Sequence, residues 1–230
     1  MNKLMHAYDL ALSVEEVSVY GFGPWYQSVS HDDQSWNVII EDWTERMNSA
    51  ILALVKDWRT VVQGGGHQGL YPFLLSNMFD HVITFEPNPI NFFCLTKNCQ
   101  RANITKIQAA IGAESGMVSF EQTGFSGQHR VQQSSTLAWA MPVVAEYTVP
   151  CLTIDSLNLS HCGFIMLDLE NYDKWGIMGA MNTIERFLPV ICVEKSHLPA
   201  NDQAIRALLA PFGYTQVRDF PGDMFFQVLG

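Results

Sequence analysis

The sequence predicts an α/β fold in which a mostly parallel sheet carries helices on both faces. Short apolar strand patterns alternate with helical patterns from residue 59 onwards. A glycine-rich turn lies between the first strand and the first helix of this alternation. The chain ends with two strand patterns joined by Phe220-Pro221-Gly222-Asp223, which predicts an antiparallel hairpin. The expected sheet therefore has seven strands, the last pair antiparallel.

Residues 1–58 are expected to form a helical and aromatic extension packed on a domain of residues 59–230. Residues 1–34 show little regular pattern beyond a turn at residues 21–26, which we interpret as a packed loop or as a cover for a site. From residue 35 to 58, apolar residues recur every three or four positions and so predict one helical face. That face consists of Trp36, Ile40, Trp43, Met47, Ile51, Leu54 and Trp58.

The central unit spans Val61 to Asn88 and reads as strand, turn, helix, strand. Its turn contains Gly64, Gly65, Gly66 and Gly69. Glycine permits backbone conformations forbidden to other residues, so the turn can bring its amides against a ligand at a helix N-terminus. Glu86 ends the second strand, where a carboxylate can accept both hydroxyls of a ribose. The unit predicts a nucleoside-cofactor site.

The glycine spacing alone leaves two nucleosides open. Gly64, Gly66 and Gly69 fit the dinucleotide fingerprint G-x-G-x-x-G, whereas Gly65 and Gly69 fit the looser spacing of S-adenosylmethionine (SAM) methyltransferases. The chain's ending separates the two. A dehydrogenase needs a second nucleotide-binding half or a substrate domain, while a seven-stranded sheet closed by an antiparallel hairpin is the SAM-methyltransferase plan.

The middle of the chain supplies further elements. Asn88 as N-cap and Pro89 at the first helical position predict a helix start. Residues 106–111 predict a third strand, whose end at Ala109-Ala110 would lie over the cofactor's base. Extra β pieces at residues 117–121 and 147–151 flank a polar insert, residues 122–140, which we expect to be a mobile loop or lid that could choose the acceptor.

Two acidic residues end the remaining parallel strands. Residues 163–168 form an apolar strand that closes at Asp168, and residues 190–194 form a strand that closes at Glu194. Helical patterns follow each strand, the first stopped by Pro189 and the second by Gly213.

Composition bounds the class of protein. The 230 residues are 48% hydrophobic and 16% charged, enough for one sizeable core. A formal net charge of −10 argues against nucleic acid as a partner. No apolar run or signal pattern indicates a membrane, so a cytoplasmic protein is expected. The five cysteines are odd in number and form no C-x-x-C pair, which favours reduced, buried thiols over a metal site or disulfides.

Five blocks, in order, resemble the FkbM-type family of SAM-dependent methyltransferases. They are VVQGGGHQGLY, TFEPNPINF, LTIDSL, FIMLDLENYD and PVICVE, spanning residues 61–194. The resemblance implies a Rossmann-like class I methyltransferase sheet, SAM as cofactor, and methyl transfer to a hydroxyl of a carbohydrate or small metabolite. The chain departs from the family at Gln63, where Asp is usual, at Met166, where Lys is usual, and at residues 171–173, which replace G-x-E.

These arguments together predict two sets of site residues. Asp168 is the first candidate for the base that takes the acceptor's proton; contact with the amino-acid part of SAM and a structural role remain open. Glu170 and Glu194, at the same edge, are expected to act with it. The residues expected to contact SAM are Gln63, Gly64, Gly65, Gly66, Gly69, Glu86, Asn88 and Ala110.

Neighbouring polar residues are weaker candidates. Asp173 could touch the substrate, His197 could act as a base, and His67 could line the cofactor. Asp155 matches a family position but is expected to cap or brace a turn.

No metal site is predicted. Asp168 with Glu170 and Glu194, or His31 with Asp32 and Asp33, could in principle hold a divalent ion, but neither group has a specific ligand spacing. Methyl transfer itself requires no metal. Two alternative functions stay open: a nicotinamide (NAD)-dependent oxidoreductase that uses the same turn, and a non-enzymatic binding or assembly protein, which Gln63 hints at.

Overall fold

A seven-stranded sheet organises the chain in the computed structural model, which describes residues 14–19, 23–29, 40–41, 43–132 and 142–229. The strands are β1 (Val14–Val19), β2 (Gly23–Ser28), β3 (Thr60–Gly64), β4 (His81–Phe85), β5 (Ile104–Ile107), β6 (Ala110–Ile111), β7 (Gly116–Thr123), β8 (Arg130–Val131), β9 (Val143–Leu152), β10 (Phe164–Leu167), β11 (Val190–Glu194), β12 (Tyr214–Asp219) and β13 (Asp223–Val228). The α-helices are α1 (Asn48–Leu54), α2 (Leu70–Leu75), α3 (Pro89–Asn98), α4 (Asp173–Met178), α5 (Met181–Phe187) and α6 (Pro199–Leu209).

The main sheet has the order β5-β4-β3-β10-β11-β13-β12. Its first five strands pair in parallel, and β13 runs antiparallel to both β11 and β12. The predicted seven-stranded, mostly parallel sheet with a C-terminal antiparallel hairpin is confirmed. Since the carboxyl ends of parallel strands meet at one edge, this order brings the ends of β3, β4, β10 and β11 together.

Apolar side chains cover both faces of the sheet. Ile184 of α5 and Ile205 of α6 pack in a cluster on one face. Ile51 of α1 and Leu75 of α2 pack in a second cluster on the other. All four residues of β10 are buried, as expected for a strand covered on both sides.

The third parallel strand is shorter than the sequence predicts. It runs from Ile104 to Ile107, and the amide of Ala109 then donates to the carbonyl of Ile107 and turns the chain. Ala110 and Ile111 leave the main sheet and pair with Cys151 and Leu152 of β9. The predicted single strand over residues 106–111 is therefore two strands in two sheets.

A second sheet, of order β6-β9-β7-β8, sits between β5 and β10 in the chain. Its strands β7 and β9 pair over most of their length and extend beyond the predicted β pieces. The first part of the insert, residues 122–132, completes β7 and forms a single 3-10 turn, Ser126–Gln128, followed by β8. The rest of the insert, residues 133–140, lies outside the described residues.

The N-terminal extension contains a hairpin of β1 and β2 where the sequence predicted a turn or loop. Trp25 is 2% exposed and meets Phe73 edge-on, with ring centroids 6.0 Å apart. Asn98 at the end of α3 accepts from the amide of Tyr26 and donates to its carbonyl. The hairpin thus packs against α2 and α3.

The predicted helix of residues 35–58 is interrupted in its described part. A five-residue π-helix, Trp43–Met47, precedes α1, and the chain becomes extended at Val55. Trp58 still joins the core beyond the helix, because its ring lies 5.1 Å from that of Phe79. Trp36 of the predicted helical face falls outside the described residues.

Candidate functional site

A cavity of about 260 Å³ opens at the carboxyl ends of β3, β4 and β10. Its walls come from the glycine-rich turn, from Glu86 and Pro87, from the junction of β5 and β6, and from residues 168–172. Residues 125–131 of the insert close the remaining side. The cavity therefore lies where a doubly wound α/β sheet binds its ligands.

Gly65 shows why the turn needs glycine. Its φ is +80°, and a Cβ there would lie 2.0 Å from the carbonyl oxygen of Asp168. Gly69 has a φ of +101° immediately before α2. Other side chains rarely adopt such conformations. Glycine at position 65 therefore allows the close approach to β10, and glycine at position 69 allows the approach to Cys99, whose Sγ would lie 2.8 Å from a Cβ.

The amides of the turn are largely used within the protein. Those of Gly65 and Gly66 both donate to the carbonyl of Phe85, at 3.1 and 2.7 Å. The amide of His67 donates to Glu86 Oε2 at 2.7 Å. These three donors point to the end of β4, so they are not available as a cradle for phosphate.

Glu86 is the acid at the end of β4. It is 5% exposed, lines the cavity, and accepts from the amide of Asn88 through Oε1 at 2.8 Å. Burial raises the pKa of Glu86 to about 8, against the lowering effect of the amides that donate to it. Donors favour the ionised form, which offers about four acceptor positions; the amides of His67 and Asn88 use two of them, and the side chain of Asn91 also lowers the pKa.

Gln63 and Asn88 support the site from outside the cavity lining. Gln63 is fully buried, and its amide nitrogen donates to the carbonyls of Gly64 and Gly65. Its amide oxygen accepts from the hydroxyl of Thr84. Asn88 caps α3 through the amides of residues 90 and 91 and donates to the hydroxyl of Tyr147.

Three predicted acidic residues meet at the edge of the main sheet. One carboxylate oxygen from each of Asp168, Glu170 and Glu194 lies within 4.8 Å of the other two. Glu194 lowers the pKa of Asp168, against the larger raising effect of burial. Burial raises the pKa of all three groups, and mutual repulsion adds to the rise for Glu170 and Glu194. Asp168 and Glu170 line the cavity, whereas Glu194 does not.

Two further carboxylates surround this group. Asp173, at the start of α4, is 3% exposed, and burial raises its pKa to about 8. Its Oδ1 atom has no hydrogen-bond partner in the described part of the chain. Asp223 of β13 lies opposite Glu194 of β11 in the antiparallel strand register. Burial raises the pKa of Asp223 to about 6.

The backbone after β10 is unusual at two successive residues. Glu170 and Asn171 have φ values of +52° and +72°. Asn tolerates this region better than most residues, which explains how Asn171 can stand where the resembling family has glycine. The side chain of Asn171 accepts from Ser196 Oγ and from the amide of His197, so it holds the loop after β11 against the loop after β10.

The insert supplies cavity residues that the sequence analysis did not identify. Ser126 Oγ lies 3.0 Å from His67 Nε2 and accepts from Gln68 Nε2 at 3.2 Å. His129 lines the cavity, and its Nδ1 accepts from the amide of Thr123 at 3.1 Å. Burial lowers the pKa of His129 to about 4, so the ring is neutral with its proton on Nε2. No sequence motif marks these residues, because the contacts depend on how the insert folds back.

The remaining predicted residues are placed as follows. The lining includes Gly65, Gly66, Glu86 and Ala110 but not Gly64 or Gly69. His67 lines the cavity, whereas the exposed His197 does not. Asp155 accepts from the amides of Asn182 and Thr183 and thereby braces the start of α5. His31, Asp32 and Asp33 lie outside the described residues.

A family model described as the methyltransferase FkbM domain matches residues 64–216, more than half of the chain. No curated protein matches the sequence significantly. Among the described residues, no helix is long and apolar enough to cross a membrane.

Solved structures share the fold at low sequence identity. Methyltransferase FkbM from Methylobacillus flagellatus KT is 14% identical with a TM-score of 0.52, and the match covers 85% of this chain and 55% of that one. A structure described as an rRNA methylase from Clostridium thermocellum is 12% identical with a TM-score of 0.53, and the match covers 81% of this chain and 96% of that one. Trm5b from Pyrococcus abyssi is 13% identical with a TM-score of 0.50, and the match covers 95% of this chain and 56% of that one. The chain thus spans just over half of the first and third of these proteins.

Proposed function

Because the chain belongs to the FkbM methyltransferase family, we propose that it transfers a methyl group from SAM to a hydroxyl of a carbohydrate or small metabolite. The observation that carries the proposal is the position of Glu86. Its carboxylate is 5% exposed, borders the cavity and is held by the amides of His67 and Asn88. An acid fixed in this way can accept the two hydroxyls of a ribose.

The residues around the cavity fit SAM. The backbone of Gly65 and Gly66 forms a wall without side chains, and the apolar residues Ala109 and Ala110 lie where a base would pack. Glu86 would hold the ribose between these two surfaces. When bound, SAM supplies an electrophilic methyl group on a sulfonium.

Asp168 is the residue we propose as the base. It lies at the end of β10, beside the glycine turn, and lines the cavity. Burial raises the pKa of its carboxyl group, which brings it closer to the pH at which the enzyme works and so makes it a better proton acceptor. Glu170 lines the cavity next to it and would hold the acceptor, with Glu194 behind both.

The geometry of the turn counts against the nicotinamide alternative. A dinucleotide's pyrophosphate needs free amides at the start of a helix. Here the amides of Gly65, Gly66 and His67 are already bound to Phe85 and Glu86. SAM carries no phosphate, so its binding does not require a phosphate cradle.

We also propose a small acceptor rather than nucleic acid. The chain has a formal net charge of −10, and five carboxylates cluster beside or near the cavity. This field repels a polyphosphate. The likeness to a structure described as an rRNA methylase, at 12% identity, extends to the fold and carries no substrate with it.

The test begins with calorimetric titration of S-adenosylhomocysteine (SAH), SAM and NAD into the protein. We expect SAM and SAH to bind, NAD not to bind, and Glu86→Gln to weaken SAH binding. Radiolabelled SAM with a panel of sugars and hydroxylated metabolites then tests turnover. Binding of NAD without SAH would overturn the proposal, and SAH binding without turnover on any acceptor would favour a non-enzymatic binding protein.

A further inference from the structure

Three acidic residues from the ends of two adjacent parallel strands converge at one point. Asp168 ends β10, Glu170 follows two residues later, and Glu194 ends the adjacent parallel strand β11. One oxygen from each lies within 4.8 Å of the other two. Carboxylate oxygens bound to one small cation are about 3 to 4 Å apart, because each lies 2.0–2.6 Å from the ion. The spacing is therefore compatible with a shared ion.

A fourth carboxylate provides an independent observation. Asp173 is 3% exposed, and its Oδ1 atom finds no hydrogen-bond partner among the described residues. Asp173 lies near the same group, since its charge raises the pKa of Glu170 and of Glu194 and the charge of Asp168 raises the pKa of Asp173. A buried carboxylate oxygen without a partner is costly, and a cation nearby would offset that cost.

The described residues supply no ion pair to these acids. Two basic residues whose charges reach Glu170 and Asp223 are engaged with other acids: Arg130 pairs with Glu121 at 2.8 Å and Lys195 with Asp219 at 2.7 Å. A divalent cation would offset the negative charge that these carboxylates bring together.

We propose that Asp168, Glu170 and Glu194 form a binding site for one divalent cation of the Mg²⁺ or Mn²⁺ class. All three ligands are hard oxygens, which these ions prefer over nitrogen or sulfur. A bound cation would also favour the ionised form of Asp173 nearby. The backbone directly after the Asp168 ligand has positive φ at both Glu170 and Asn171.

The cation site borders the cavity, because two of its ligands, Asp168 and Glu170, also line the cavity. A cation held there would present its open coordination positions to an oxygen of the acceptor. It would orient that oxygen and favour loss of its proton. The cation site stands on its own geometry, and only this role beside the acceptor rests on the proposed function.

The test is titration of MnCl₂ into the full chain, followed by electron paramagnetic resonance of free Mn²⁺ and by calorimetry. We expect one saturable site with a dissociation constant of about 1 mM or lower. Glu194→Gln should weaken Mn²⁺ binding at least about tenfold, since one of three charged ligands is lost. MgCl₂ should compete for the same site, and Mn²⁺ should raise the melting temperature of the wild-type protein.

Glu185→Gln is the matched control, because Glu185 is an exposed carboxylate on α5. It should bind Mn²⁺ like the wild type. Absence of saturable Mn²⁺ binding to the wild type would overturn the inference, and so would unchanged binding by Glu194→Gln. SAH binding is measured in the same samples: its presence without Mn²⁺ binding removes only the cation site, whereas its absence with Mn²⁺ binding removes only the proposed function. Should Glu194→Gln not fold, the wild-type titration alone decides.

Discussion

The amide of His67 donates to Glu86 Oε2 at 2.7 Å and joins the glycine-rich turn to the acid at the end of the next strand. The second oxygen of Glu86 accepts from Asn88, which caps α3. One carboxylate thus fixes the turn after β3 and the start of α3 at the same time. Glu86, the acid that we propose binds the ribose, therefore also fixes the backbone that shapes the cavity.

Glu86→Gln is expected to weaken SAH binding at least about tenfold. An amide side chain has one acceptor oxygen instead of two, so it cannot serve the amides of His67 and Asn88 and two ribose hydroxyls together. Calorimetry measures the affinity, and Glu114→Gln, an exposed position, serves as the control. Equal affinities of the wild type and Glu86→Gln would place the ribose elsewhere.

The ligand-free protein is expected to lose stability as the pH rises from about 5 to about 8. The folded-state pKa values of Glu86 and Asp173, about 8 each, lie above the ordinary values of 4.5 and 3.8. The folded chain therefore holds protons that the unfolded chain has lost, and their stabilising effect disappears as the pH approaches 8. Urea unfolding at several pH values measures the change, which we expect to reach a few kcal/mol.

Glu86→Gln should make that pH dependence shallower, since one of the two groups no longer titrates. A free energy of unfolding that increases over this interval would contradict the assignment of buried, protonated acids.

The sequence predicted the elements whose signals are local. Alternating strand and helix patterns, the turn glycines and the C-terminal hairpin are all readable within short windows, and the seven-stranded sheet follows from them. The early end of the third strand was not predicted. It depends on a turn between Ile107 and Ala109 and on pairing of Ala110 with Cys151, some forty residues away.

The site was predictable where a residue ends a strand. Asp168 and Glu194 converge because adjacent parallel strands bring their carboxyl ends together. Ser126 and His129 could not be found in this way. They reach the cavity only because β8 pairs back on β7, and that pairing involves just two residue pairs with no motif of their own.

Gly65→Ala is expected to destabilise the protein severely or prevent folding. The new methyl group would lie 2.0 Å from the carbonyl oxygen of Asp168, at a φ of +80°. Gly116→Ala is the control, because a Cβ there meets no atom within 4 Å. Thermal unfolding compares the two, and a Gly65→Ala protein as stable as Gly116→Ala would refute the close approach of the turn to β10.

Ser126→Ala is expected to weaken SAH binding and to lower stability by about 1–2 kcal/mol. The change removes the hydroxyl that bonds to His67 and Gln68 and thereby ties the insert to the glycine turn. Ser119→Ala in β7 is the control, since the Ser119 hydroxyl donates to Glu146 and makes no contact with the glycine turn among the described residues. Equal effects of the two substitutions on SAH affinity would show that the tie does not shape the cofactor site.

Asp168→Asn is expected to lower turnover far more than SAH affinity. The amide keeps the size of the side chain but cannot take the acceptor's proton, and general-base catalysis contributes about 10²- to 10⁴-fold to the rate. Single-turnover kinetics with the identified acceptor separates the chemical step from binding, with Glu185→Gln as the control for an unrelated lost carboxylate. If Asp168→Asn retains the wild-type rate, Asp168 is not the base. If it loses SAH affinity and rate in equal proportion, Asp168 holds the cofactor instead.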